Sequence, residues 1–161
     1  MKKDVVAVQI RCIHPYLSNN GTAIFLGNKE KVFIIAVDTH MARVIEEFRA
    51  EVPKPRPMTH DLMVSIMKGF GVTVERVVIT DLRESTFFAR LVLLQQNELG
   101  KKIVEIDARP SDSLAIAMAH KRPIFISQAL FDRMDDASEM LERISQETSS
   151  AGPETESGTD A

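Results

Sequence analysis

Cysteine, tryptophan and tyrosine are scarce in this chain of 161 residues. Cys12 is the only cysteine, so the chain can form neither an internal disulfide nor a zinc site built from several cysteines. Tryptophan is absent and Tyr16 is the only tyrosine, which leaves no evident aromatic platform for stacking the bases of single-stranded nucleic acid. Disulfide-rich and multi-cysteine zinc proteins are therefore excluded.

Long hydrophobic runs are also missing. The apolar segments have the length of a strand, as at Val32–Val37, whereas a membrane-spanning helix needs about 20 consecutive apolar residues. Asp4, Gln9 and Arg11 interrupt the N-terminal apolar stretch, so it does not match a secretory signal peptide. We therefore expect a cytoplasmic protein that does not contact a membrane.

Several common catalytic motifs are absent. The sequence contains no P-loop, no G-x-G-x-x-G after a strand, no G-x-S-x-G and no H-E-x-x-H. These absences argue against P-loop nucleotide hydrolases, dinucleotide-binding enzymes, serine hydrolases of the α/β type and zinc proteases.

Charge is divided unevenly along the chain. Residues 132–161 contain nine acidic residues against Arg133 and Arg143, a net charge of −7, which leaves +4 for residues 1–131. A mildly basic body is compatible with a polyanionic partner, although many solvated surfaces carry as much positive charge.

Hydrophobic periodicity predicts two groups of three strands, each followed by a helix. The strands are predicted at 6–12, 22–26, 32–37, 72–82, 86–94 and 102–107, with a short additional strand at 124–126. Helices are predicted around 41–48, from Thr59 to Gly69, at 110–120 and at 135–147. Locally paired strands predict an α+β fold: two strand-strand-strand-helix halves with a mainly antiparallel sheet and flanking helices.

The same pattern predicts the domain organisation. We expect one domain over residues 1–131, a C-terminal helix over 132–148, and a disordered acidic tail over 149–161, which has no large apolar side chain.

Polar side chains are predicted to meet where the second group of strands ends. If these three strands pair as a meander, the turn after strand 72–82, the end of strand 102–107 and the start of helix 110–120 lie close together. The residues there are His60, Asp61, Asp81, Arg83, Asp107, Arg109, Ser111 and Asp112. Metal-bound carboxylates, arginines and a histidine can supply the base, the water and the charge neutralisation that phosphodiester hydrolysis needs.

Six of these eight residues also have a purely structural interpretation. Asp61, Ser111 and Asp112 lie where helix caps are expected, and His60 can be an ordinary first-turn residue. Arg109 can form a structural ion pair with Asp107 or Asp112.

Three segments, correctly ordered and spaced, resemble the bifunctional nuclease domain family, which is named for activity on both DNA and RNA. They are P-R-P-M-T-H-D-L at Pro55–Leu62, V-E-R-V-V-I-T-D-L-R-E-S-T-F-F-A-R-L at Val74–Leu91, and E-I-D-A-R-P-S-D-S-L-A-I-A at Glu105–Ala117. The chain departs from the family at A-V-D-T-H-M-A, where Thr39 or His40 stands in place of a usual glutamate.

The resemblance implies a nuclease for DNA and RNA, and we expect it to have little sequence selectivity. The carboxylates of the predicted cluster further suggest assistance by a divalent cation, Mg²⁺ or Mn²⁺. The matching motif positions also include Arg90. From the chemistry of the side chains we assign catalytic roles to His60, Asp81, Asp107 and Asp112; substrate binding to Arg83, Arg90, Arg109 and Ser111; and metal binding to Asp61, Asp81 and Asp107.

The alternative is a non-catalytic domain that binds an anion or a partner protein and has a regulatory role. We also expect a homodimer, because free strand edges and apolar strands such as Thr22–Leu26 suggest that a partner subunit covers an edge or a sheet face.

Overall fold

The computed structural model describes residues 4–15 and 21–150, which form one seven-stranded sheet and five helices. The strands are β1 (Val5–Pro15), β2 (Gly21–Gly27), β3 (Val32–Asp38), β4 (Val72–Arg83), β5 (Thr86–Asn97), β6 (Gly100–Ala108) and β7 (Ile124–Ser127). The helices are α1 (Thr39–Arg49), α2 (Thr59–Gly69), α3 (Pro110–Ala119), α4 (Gln128–Arg133) and α5 (Ser138–Ser150).

The strand order β3-β2-β1-β7-β4-β5-β6 confirms the α+β prediction and shows how the two halves join. Strands β1 to β3 pair antiparallel, as do β4 to β6, and each group is followed by a helix. Strand β7 lies between the groups, antiparallel to β1 and parallel to β4. A four-residue strand from near the end of the domain therefore makes the sheet continuous.

The main core lies between one face of the sheet and helices α1 and α3. Helix α1 buries Met41, Val44, Ile45 and Phe48 against it. Helix α3 contacts α1, α2, β4 and β5, so most of its surface is buried. Its sequence accordingly has apolar residues on almost every side. This arrangement fixes the start of α3 on the face of the sheet that packs against α1 and α3, which we call the helix-covered face.

Strand β2 does not provide a surface for a partner subunit. Its Thr22–Leu26 segment is buried throughout, with Ile24 and Leu26 in the main core and Phe25 in a second cluster on the other face. Leu141 and Ile144 of α5 cover that second cluster. The interpretation of Thr22–Leu26 as a segment awaiting a partner is therefore wrong, because helices of the same chain cover both of its faces.

The C-terminal region differs from the prediction in two ways. Helix α4 was not predicted, and α5 begins at Ser138, where Asp136 Oδ1 accepts a hydrogen bond from the Ser138 amide at 3.0 Å. Residues 149 and 150 continue α5, whereas the rest of the predicted disordered tail, 151–161, lies outside the described residues. Within the described part of the chain, no helix is both long enough and apolar enough to cross a membrane.

Candidate functional site

The predicted site residues do not form one cluster, because they lie on two faces of the sheet. Asp81 lies opposite Phe88 of β5, and Asp107 lies opposite Arg90. Directly opposed residues share a face, as do residues two apart in a strand, so Asp81, Arg90 and Asp107 share one face. Ala89 and Leu91 are buried on the other face. The prediction of a single cluster is therefore wrong, since the chain crosses to the helix-covered face after Asp107 to begin α3.

On the helix-covered face, His60, Arg109 and Asp112 form a hydrogen-bonded unit, which we call the Asp112 network. His60 Nε2 lies 3.1 Å from Asp112 Oδ1, and Arg109 Nε donates to Asp112 Oδ2 at 2.9 Å. The His60 residue is only 7% exposed, whereas the Arg109 side chain is 71% exposed. One carboxylate thus holds a buried imidazole and a solvent-facing guanidinium.

The first turns of α2 and α3 position this network. Arg109 is the N-cap of α3, Pro110 occupies the first helical position, and Asp112 lies in the first turn. On α2 the N-cap is Met58 rather than the expected Thr59, because the Asp61 carboxylate accepts the Met58 amide at 2.9 Å. The structure confirms the capping interpretation for Asp61. Ser111 is buried at the second position of α3.

The electrostatics of the network keep Asp112 ionised. Burial raises the pKa of Asp112, but hydrogen bonds from Arg109 and His60 outweigh this effect and bring the pKa below its usual value. The hydrogen bond to Asp112 raises the pKa of Arg109, with a smaller contribution from the charge of Asp38. The network therefore presents a stable cation beside the N-termini of two helices, which favour bound anions.

Asp38 is a neighbour of the network that the sequence interpretation missed. It is the N-cap of α1, where its Oδ1 accepts the Met41 amide at 2.8 Å. The available signal was its position: an Asp directly between a buried strand and an amphipathic helix, within the segment where the family usually has a glutamate.

On the opposite face, Asp81 is held by two arginines. Asp81 Oδ2 accepts from Arg83 Nε at 2.6 Å, and Oδ1 accepts from Arg133 Nη2 at 3.1 Å. The hydrogen bond from Arg83 and that from the Leu82 amide bring the pKa of Asp81 below its usual value. The Arg83 guanidinium also lies 5.4 Å from the centre of the Phe88 ring. The negative charge of Asp81 is thus compensated by two arginines of the same chain.

The remaining two predicted residues join neither group. Arg90 Nη1 donates to Glu105 Oε2 at 3.2 Å across the β5–β6 pair. Asp107 is exposed on the edge strand β6 and makes no ion pair with any residue in 4–15 or 21–150.

The three carboxylates assigned to a metal do not share a site. Asp61 is on the helix-covered face, Asp81 is held by arginines, and Asp107 stands apart on β6. The described ranges contain no group of three or more His, Cys, Asp or Glu side chains that could hold a metal ion. The three residues therefore do not fit a joint Mg²⁺ or Mn²⁺ site, and the need for a cation stays a prediction.

A cleft of about 540 Å³ lies near the network, although His60, Arg109 and Asp112 do not line it. It lies between the end of α1, the proline-rich connector at 53–57 and the end of α3. Its lining includes Phe48, Lys54, Asp61, Met118 and Lys121. The Phe48 ring meets the His60 ring edge-on, with centroids 6.3 Å apart and an interplanar angle of 81°. Phe48 therefore contacts His60 and also lines the cleft.

Comparison with known proteins agrees with the resemblance seen in the sequence. The chain is similar to two proteins of Mycobacterium tuberculosis, the uncharacterized protein MT1877 of strain CDC 1551 / Oshkosh and the uncharacterized protein Rv1829 of strain ATCC 25618 / H37Rv. Each is 33% identical over 103 residues, which is 64% of this chain and 58% of the relative, so the chain spans less than two thirds of either. A family model described as the bifunctional nuclease domain matches residues 24–139, a range that contains the whole Asp112 network. The chain belongs to the bifunctional nuclease domain family.

Proposed function

We propose that the protein is a nuclease that hydrolyses phosphodiester bonds of DNA and RNA with little sequence selectivity. The observation that carries this proposal is the Asp112 network, in which one carboxylate orients a histidine and an arginine at the start of two helices. Family membership supports the reaction class, and the network supplies side chains suited to it.

Each member of the network has a role in this reaction. With its proton on Nε2, His60 donates to Asp112, and its Nδ1 then carries the lone pair that accepts a proton from the attacking water. Asp112 fixes this tautomer and stabilises the imidazolium that forms. The exposed Arg109 guanidinium binds the phosphate and offsets the negative charge that grows in the transition state.

The predicted roles of Asp81, Arg83, Arg90 and Asp107 would require a second centre on the opposite face. We keep substrate binding by the two arginines and catalysis by the two carboxylates as a separate hypothesis. A divalent cation, Mg²⁺ or Mn²⁺, also remains a proposal, and none of the steps above depends on it. Cytoplasmic localisation likewise stays a prediction.

A non-catalytic domain that binds an anion or a partner protein is the second candidate. One observation favours it: His60 is buried, and its Nε2 is already engaged by Asp112. In that case Arg109 and the helix N-termini would hold an anion without cleaving it.

Cleavage assays on the purified chain separate the two functions. We expect the protein to cut single- and double-stranded DNA and RNA in the presence of Mg²⁺ or Mn²⁺. Binding of these substrates without cleavage under any of these conditions would contradict the nuclease and support the binding domain. Cleavage that persists in the presence of a chelator would rule out the cation and leave the nuclease proposal intact.

We also propose that two copies of the chain associate through the outer side of α2. Leu62 and Ile66 of α2 and Phe70, the residue that caps its C-terminus, follow one another at a spacing of four residues and are 54%, 52% and 77% exposed. Light scattering at micromolar concentration should show a dimer for the wild type and a monomer for Ile66→Lys, which places a charge on an already exposed position. A monomeric wild type would contradict the proposal.

A further inference from the structure

Lys54 lies in an unusual environment for a lysine. Its side chain is only 15% exposed, and its Nζ has no hydrogen-bond acceptor among the described residues. Instead, Nζ lies 3.2 Å from the centre of the Phe48 ring and 3.9 Å from Asp61 Oδ2. Burying an ammonium group is costly unless other charges or a π face offset it, so these two contacts are what hold Lys54 in place.

Both residues that Lys54 contacts adjoin His60: Phe48 packs against its ring, and Asp61 follows it in the chain. The Phe48 ring has the Lys54 ammonium over its face and packs edge-on against the His60 imidazole. Asp61 follows His60 in the chain and accepts the Met58 amide that begins the first turn of α2. Lys54 therefore contacts the aromatic ring that supports His60 and the carboxylate that closes the helical turn bearing it.

The local sequence restrains Lys54 in this position. It stands between Pro53 and Pro55 in the connector P-K-P-R-P. Proline fixes its own φ angle, and the residue before a proline is restricted to extended conformations. The connector therefore has little conformational freedom. Ordering the Lys54 backbone costs less conformational entropy than it would in a flexible loop.

We propose that Lys54 is a positioning residue for His60, acting through Phe48 and Asp61 to fix the orientation of the imidazole toward Asp112. The kinetic part of this inference rests on the proposed nuclease function; the structural part does not. Lys54 makes no hydrogen bond or ion pair with Arg109 or Asp112, so its effect should be on the orientation of His60 and not on phosphate binding.

The test compares Lys54→Met, which keeps an unbranched apolar stem and removes the charge, with Lys54→Arg, which keeps a cation able to lie on the Phe48 ring. Lys121→Met is the matched control, because Lys121 lines the same cleft but is exposed and pairs with Glu51. We expect Lys54→Met to lower kcat about 10- to 100-fold with little change in KM. Lys54→Arg should recover most of kcat, and Lys121→Met should behave as the wild type.

The NMR chemical shifts of the His60 ring protons give a readout that needs no activity. We expect them to change in Lys54→Met and to return toward the wild-type positions in Lys54→Arg. Wild-type ring shifts in a folded Lys54→Met protein would overturn the inference, as would a loss of kcat that Lys54→Arg does not restore. If the wild type cleaves nothing, the proposed function fails, and the ring shifts still decide the role of Lys54.

Discussion

Replacing Asp112 with asparagine should lower the rate of phosphodiester cleavage about 100-fold or more, while the protein remains folded. The Asp112 carboxylate accepts hydrogen bonds from Arg109 and His60 on separate oxygens. An asparagine offers one oxygen and one amide nitrogen, so when its oxygen accepts from Arg109 its amide donates to His60 Nε2, which favours the tautomer with the proton on Nδ1 and removes the lone pair that would accept a proton from water. The neutral amide also cannot stabilise the imidazolium that forms when His60 takes a proton. The measurement is the single-turnover cleavage rate of the variant relative to the wild type.

The same substitution should change how stability depends on pH. The pKa of Asp112 in the folded protein lies below the value of about 3.9 expected for an unfolded chain, so its ionised form stabilises the fold. This contribution is fully present above about pH 4 and is lost as pH falls through the lower, folded-state pKa. We expect Asp112→Asn to reduce the free energy of unfolding by about 1–3 kcal/mol at pH 7.

The difference between the wild type and Asp112→Asn should shrink as the solution is acidified toward pH 3. Urea unfolding of both proteins at several pH values measures it. Protonation of the other carboxylates affects both proteins equally, so they do not contribute to the difference. A stability gap that stays constant from neutral to acid pH would show that the Asp112 charge does not stabilise the fold.

Replacing Ile126 with alanine should lower the free energy of unfolding by about 3–5 kcal/mol. Ile126 is fully buried in β7, opposite Val6 of β1 and Ile79 of β4, at the seam where the two halves of the sheet meet. Removing three carbons there leaves a cavity that strands on both sides cannot collapse into without breaking their pairing. Denaturant unfolding at neutral pH gives the measurement.

Ile103→Ala is the matched control, because Ile103 is the same residue type on the edge strand β6 and is more than half exposed. We expect this variant to lose less than about 1 kcal/mol. Similar losses for the two variants would contradict the view that β7 closes the core between the halves.

The parts of the fold predicted correctly depend on local pattern. The β4–β5–β6 meander follows from alternating apolar residues joined by short turns, and Glu84 and Ser85 make the tight turn with positive φ angles of 47° and 62°. Helix α3 is marked by Pro110 at its first position. Strand β7 was predicted at 124–126, but a strand of only four residues carries too little periodicity to reveal its partners, and the six-residue helix α4 was too short to be predicted. The placement of β7 between β1 and β4 depends on contacts distant in sequence.

The site was only partly predictable, for a specific physical reason. The i,i+3 spacing of Arg109 and Asp112 made their ion pair one of the open alternatives, and the structure confirms it. His60 and Asp112 are 52 residues apart, and their contact depends on how α2 and α3 pack. A bulge at Thr80 breaks the strand alternation, so Asp81 lies opposite Phe88 and away from the core face that Ile79 occupies. Nothing in the sequence indicates that bulge.

Side-by-side cleavage by Asp112→Asn and Asp107→Asn tests most directly whether the Asp112 network is the catalytic centre. Both variants remove one carboxylate charge, but Asp112 joins His60 and Arg109 on the helix-covered face, whereas Asp107 stands on the opposite face. We predict that Asp112→Asn loses cleavage of DNA and RNA alike and that Asp107→Asn retains it. A folded Asp112→Asn protein that cuts as fast as the wild type, beside an inactive Asp107→Asn protein, would contradict this assignment and place the chemistry on the other face of the sheet.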